Sequence, residues 1–290
     1  MSWRRWLAAE VPPNKEPLQQ IGSMQPVSID HDADDELFTG RFVALMRDHA
    51  AAGACYVEIR CGGEIATRDG FMSMFRQAEQ QVRADYPRLH AEAMAIVIGA
   101  GQDPERANAF ADSCIRAADE GSAGIDFLYS PYDAEADWAP MYRLAERFAD
   151  AGLGITAHAG ELSTANIAAA ANMPGLSSIG HGVHAALDPE LLRLLVDRGV
   201  TLECALTCNE YFGVLPDLEE HPLLVEAGVA VTLATDNPIQ LGTTIEQEYA
   251  AAAELGLSMD QLTGITRNAI QAAFTSDERK SAMLDELPGG

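Results

Sequence analysis

The amino-acid sequence predicts an α/β chain folded as a (β/α)8 TIM barrel with its first strand short or missing, and three observations carry that prediction. From about residue 54 onward, short runs of β-branched and small residues alternate with helix-patterned segments. Strands joined this way pair in parallel, because a parallel connection has to cross over and usually does so through a helix. Polar residues able to do chemistry fall at the carboxyl ends of several runs, whereas an open doubly wound sheet gathers its site at one switch point. Length is the third: 290 residues, 48% of them hydrophobic, suffice for the core of one barrel. Residues 1–290 are therefore read as a single domain, with 1–53 a degenerate or truncated amino-terminal region.

Taken in order, strands are expected at 54–60, 93–99, 124–128, 154–159, 178–183, 201–208 and 229–236. An eight-stranded barrel leaves one slot to fill, and the stretch from Pro26 to His31 is the candidate for it. Helix punctuation lies between the strands. Asp103-Pro104 opens a helix that Gly121 closes, Asp188-Pro189 opens one that Gly199 closes, and His221-Pro222 opens one before Gly228. Thr243 with Glu246, and Ser258 with Gln261, have the spacing of capping boxes. Trp138, Met141, Tyr142, Ala145 and Phe148 recur at three- and four-residue steps and form a core-facing helix stripe.

The net charge of −25, from 44 acidic against 19 basic residues, argues against nucleic-acid and anionic-membrane partners. Five cysteines at no recurring spacing make no disulfide framework and predict a reducing, cytoplasmic setting. The start has two arginines, but Glu10, Pro12, Pro13 and Lys15 follow in place of the apolar run of a secretory signal. The most apolar stretch, 93–100, is too short to cross a bilayer, so the chain is expected to be soluble.

Three motifs carry the chemistry: Thr156-Ala157-His158-Ala159-Gly160-Glu161, Gly180-His181-Gly182 and Ala234-Thr235-Asp236-Asn237-Pro238. Each follows a strand-like run, so all three project from one end of a parallel sheet. The His158 imidazole and the Asp236 carboxylate suit a divalent metal, which lowers the pKa of bound water to near neutrality. Glu161 shares the pocket without being a ligand and can protonate a ring nitrogen, while His181, set between two glycines, serves as base or electrostatic partner. No His-x-His pair exists among the seven histidines, at 31, 49, 90, 158, 181, 184 and 221.

On these motifs, the stretch from Tyr56-Val57-Glu58-Ile59-Arg60 to about Leu284 resembles the adenosine deaminase family of metal-dependent barrel hydrolases. The resemblance implies one Zn2+ per chain, with His158 and Asp236 as metal ligands and Glu161 and His181 as catalytic residues. It puts Asn237 where the family holds a second aspartate against the purine ring; an asparagine there can donate or accept but carries no charge. The implied reaction is hydrolytic deamination of adenosine or a related aminopurine nucleoside, with release of ammonia. A metal-free, catalytically impaired relative that binds a nucleoside or serves in assembly is the alternative.

The family draws two more ligands from an amino-terminal His-x-His strand. Three readings of its absence stay open: a longer gene product, lost metal catalysis, or substitute ligands from Asp30, His31 and Asp32. Tyr129 falls near a family glycine at the substrate, where its ring would narrow the pocket or stack on a base. Cys204 and Cys208 are expected in the core, and His184 and His221 as scaffold, His221 at a helix cap. The Pro-Cys-x-x-Cys pair of single-stranded nucleic-acid deaminases is missing from the sequence. Exposed edges of an incompletely closed barrel favour association, as in a homo-oligomer, or poor solubility.

Overall fold

The computed structural model describes residues 35–99, 104–129, 133–214 and 220–288. Helix α1 (Asp35–Ala51) precedes seven parallel strands: β1 (Tyr56–Gly62), β2 (His90–Gly99), β3 (Gly124–Tyr129), β4 (Gly154–Ala159), β5 (Leu176–His181), β6 (Thr201–Cys204) and β7 (Ala230–Leu233). They pair in the order β1 to β7 without crossing, as in a barrel missing one strand. The candidate first strand, 26–31, lies outside the described residues, as do Asp30, His31 and Asp32.

Between strands run α2 (Gly63–Ala66), α3 (Phe71–Arg83), α4 (Pro104–Asp119), α5 (Ala139–Asp150), α6 (Ile167–Ala171), a 3-10 turn (Val183–Leu187), α7 (Pro189–Arg198), α8 (Leu206–Phe212) and α9 (Glu220–Glu226). After β7 come α10 (Pro238–Leu241), α11 (Ile245–Glu254), α12 (Met259–Ala272) and α13 (Asp277–Asp285). The expected stripe on α5 is real: Met141, Ala145 and Phe148 are buried, and Phe148 meets Phe127 of β3 at 5.9 Å between ring centroids. Helix α1 docks on α3 through Phe38, Phe42, Phe71 and Phe75, mostly edge to face, the arrangement that ring quadrupoles favour.

Punctuation holds at most ends. Asp188 accepts from the N–H groups of Glu190 and Leu191, Gly199 closes α7 at φ 64°, and Ser258 with Gln261 forms the full capping box of α12. Two local expectations need correcting. Thr244, not Thr243, caps α11, by accepting from Gln247 N; the Thr243 hydroxyl instead donates to the buried Glu248 carboxylate at 2.8 Å. The run 201–208 is not one strand, because β6 stops at Cys204 and Leu206–Phe212 is helical. Leu206, Cys208, Asn209 and Phe212 bury along that helix, and Gly213 ends it at φ 65°.

Candidate active site

The base of the site is a line of charges inside the barrel. Strand register places Ile96 beside Asp126, Asp126 beside Thr156, Thr156 beside Ser178, and Gly180 beside Glu203. Arg60 of β1 reaches across this face, its Nε 2.9 Å from Asp126 Oδ2 and its guanidinium paired with Glu203. Glu203 also accepts from the Ser178 hydroxyl at 2.6 Å. Asp126 is fully buried and turns its other side to His158 Nδ1 at 2.9 Å. Burial opposes the Asp126 charge, but His158 and Arg60 outweigh it and hold the carboxyl below its ordinary range. Burial likewise opposes protonation of His158, and Asp126 outweighs it, leaving the imidazole above its usual value. The contact with Asp126 fixes Nδ1 toward the carboxylate and turns Nε2 the other way, the orientation that a carboxylate confers on ligand histidines.

Gly180 lets the His158 ring lie against β5, for a Cβ there meets that ring at 3.1 Å. The His158 and His181 rings are 5.3 Å apart, and His181 Nε2 is 3.6 Å from Glu161 Oε2. Glu161 and His181 are both buried, and among the described residues His181 Nδ1 has no hydrogen-bond partner. Asp236 follows β7 on the same mouth, and its charge acts on His158. Asn237 heads α10 without capping it through its side chain. The motifs of β4, β5 and β7 therefore converge.

Cys208 corrects the sequence reading. It is buried, as expected, but its thiol points into the site, 2.8 Å from Asp236 Oδ2 and 3.9 Å from Glu161 Oε1. Burial, reinforced by Asp236 and Glu161, pushes that thiol well above its ordinary pKa, so it is a donor and not a thiolate. Tyr129 lies elsewhere than expected. Side chains alternate along β3, so Asp126 faces inward while Phe127 and Tyr129 face the helices. The Tyr129 ring packs on Trp138 at 5.5 Å and its hydroxyl donates to the Asp137 carbonyl at 2.6 Å. His184 Nδ1 lies 3.2 Å from the Gly160 carbonyl oxygen, a scaffold contact. His221 is the second residue of α9 and not its cap, buried with Nε2 3.2 Å from Asn209 Nδ2.

Sequence reasoning passed over Arg60, Asp126 and Glu203. A signal existed: Asp126 and Glu203 are each the one charge in a short strand otherwise fit for burial, and Arg60 follows Glu58 in another, and such charges need partners inside.

The described residues alone do not complete a metal site. Among the described residues, no group of three or more His, Cys, Asp or Glu side chains is arranged to hold an ion. His158 and Asp236 supply two donors, and Asp236 already accepts the Cys208 thiol proton. Transition-metal sites of this kind take at least three protein ligands.

Seven parallel strands with helices outside and polar rims converging at the carboxyl ends define a metallo-dependent hydrolase type of barrel. A family model for adenosine deaminase matches residues 36–288, and the chain belongs to that family. It is similar to an adenine deaminase of Chelativorans sp., 35% identical over 255 residues, 83% of this chain and 76% of that protein. An adenine deaminase of Rhizobium leguminosarum bv. trifolii is 43% identical over 156 residues, 52% of this chain, and there the match spans about half, 48%, of the relative's length. The fold also matches an amidohydrolase from Burkholderia ambifaria with bound zinc, at TM-score 0.79 and 19% identity, over 92% of this chain and 76% of that one.

Proposed function

We propose that this chain binds an aminopurine at the barrel mouth, with adenine as the reference ligand, and that the described residues alone support binding without metal-dependent hydrolysis. The observation that carries this reading is the imbalance of the site. Glu161, His181, Asp236 and Asn237 offer polar groups to a purine edge, while among the described residues no group of three or more His, Cys, Asp or Glu is arranged to hold an ion. The relatives named adenine deaminase support the base as ligand class.

Glu161 donates a proton or hydrogen bond to a ring nitrogen. His181 stands beside it, with Nε2 3.6 Å from the Glu161 carboxyl, within reach of the same ligand edge. Asn237 meets the exocyclic or imidazole edge through its carboxamide, which donates and accepts without needing ionisation. Asp126 fixes the imidazole of His158, so that ring keeps one face toward the ligand.

Hydrolytic deamination is the second reading, favoured by the carboxylate that orients His158 as it would a metal ligand. Zinc per purified chain and the loss of adenine absorbance separate the two. Zinc well below one per chain, no turnover and adenine retained in equilibrium dialysis support the first reading. Stoichiometric zinc with ammonia release establishes the second, and failure to retain any purine removes both.

A further inference from the structure

We infer that Asp133 is a positioning residue that holds Glu161 in the site, an inference that rests on the purine-binding reading above. Asp133 lies between β3 and α5, yet it is 7% exposed and its backbone adopts φ 50°. Among the described residues, only Asp133, His181 and Asp236 are non-glycines at positive φ. Such conformations are strained and persist where the surroundings enforce them, commonly at functional sites. Two of the three belong to the site; the third needs a reason.

Its contacts give one. The Asp133 carboxylate accepts from Gly160 N at 3.3 Å on Oδ1, and from Leu162 N at 2.7 Å and Ser163 N at 2.9 Å on Oδ2. These amides flank Glu161 on both sides. The Ser163 hydroxyl donates to the Asp133 carbonyl at 3.3 Å. Asn166 Nδ2 donates to Ala134 O at 2.7 Å and lies 3.4 Å from Asp133 Oδ1, while Asn166 Oδ1 accepts from Trp138 Nε1 at 3.0 Å. One carboxylate from the preceding loop thus takes the N–H groups of the turn that carries Glu161, and charge makes these bonds stronger than neutral ones. Gly160 leaves little slack, since a Cβ there crowds Ile167 and Gly182.

The test pairs Asp133→Asn and Asp133→Gly with Glu161→Ala and reads adenine affinity by calorimetry. Asparagine replaces an acceptor oxygen with a donor; glycine deletes the carboxylate but suits positive φ, so it keeps the fold if asparagine does not. The expected result is a tenfold or greater loss of affinity from either Asp133 change, and less than a twofold further loss when Glu161 is already alanine. A purely structural role would lower affinity equally in both backgrounds, and that outcome, or wild-type affinity in both Asp133 variants, overturns the proposal. If the unaltered chain binds no purine, the functional reading fails by itself. Amide hydrogen exchange then decides the tether: selective acceleration at Gly160, Leu162 and Ser163 supports it, and unchanged exchange there overturns it.

Discussion

Side chains in this barrel are set by partners distant in sequence. Arg60 and Asp126 form a pair that neither strand announces locally, and the Asp126 contact with His158 adds a third strand to the arrangement. Glu58 shows the cost of placing charge inside. It accepts from Phe274 N at 2.6 Å and Tyr56 Oη at 2.8 Å, yet burial is the largest effect and raises its carboxyl above the ordinary 4.5. From pH 4.5 up to that raised value the native chain holds a proton that the unfolded chain has released, so this group's contribution to stability falls as pH rises through the window. Glu58→Gln removes the effect while keeping an acceptor. Denaturant midpoints measured from about pH 4 to pH 7 are expected to shift in favour of the variant as pH rises; a constant difference would show that Glu58 titrates normally. The residues legible in the sequence were those inside short motifs, His158 with Glu161, His181 between glycines, and Asp236 before Asn237. Asp133 and Cys208 were not, because their meaning comes from loops and helix turns that bring them to Glu161.

Among elements, the strands were the most legible and their ends the least. The beat of apolar runs and helix punctuation locates all seven, but the run 201–208 continues past the rim and winds into α8, where local apolar content cannot separate strand from helix. That change of state carries Cys208 into the site. The closure of the barrel's other end was also hidden. Phe274, just beyond α12, lies over the starts of β3 and β4, where a Cβ on Gly124 meets its ring at 3.1 Å and a Cβ on Gly154 overlaps it. Gly154→Ala is expected to lower stability by about 1–3 kcal/mol, the usual range for overpacking. The same change in a Phe274→Ala background should cost much less, as read by paired denaturant curves. Equal costs in the two backgrounds would mean that the ring moves aside freely and does not shape the strand starts.

At the scale of the molecule, the order β1 to β7 was legible because each crossover segment is helical and short, and crossovers of this kind are right-handed and sequential. What closes the barrel was not legible, and the candidate strand 26–31 lies outside the described residues. Among the described residues, no group of three or more His, Cys, Asp or Glu is arranged to hold an ion. Among those residues, no helix is long and apolar enough to cross a membrane. The whole arrangement nevertheless brings three motifs, spread over some eighty positions, onto one mouth above one buried ion pair. On the proposed reading, this mouth recognises an aminopurine through protein side chains without needing a metal. Calorimetric titration of adenine into chelator-treated chain tests it most directly. Saturable binding at one adenine per chain is the expected result; no saturable heat before zinc is restored would contradict it.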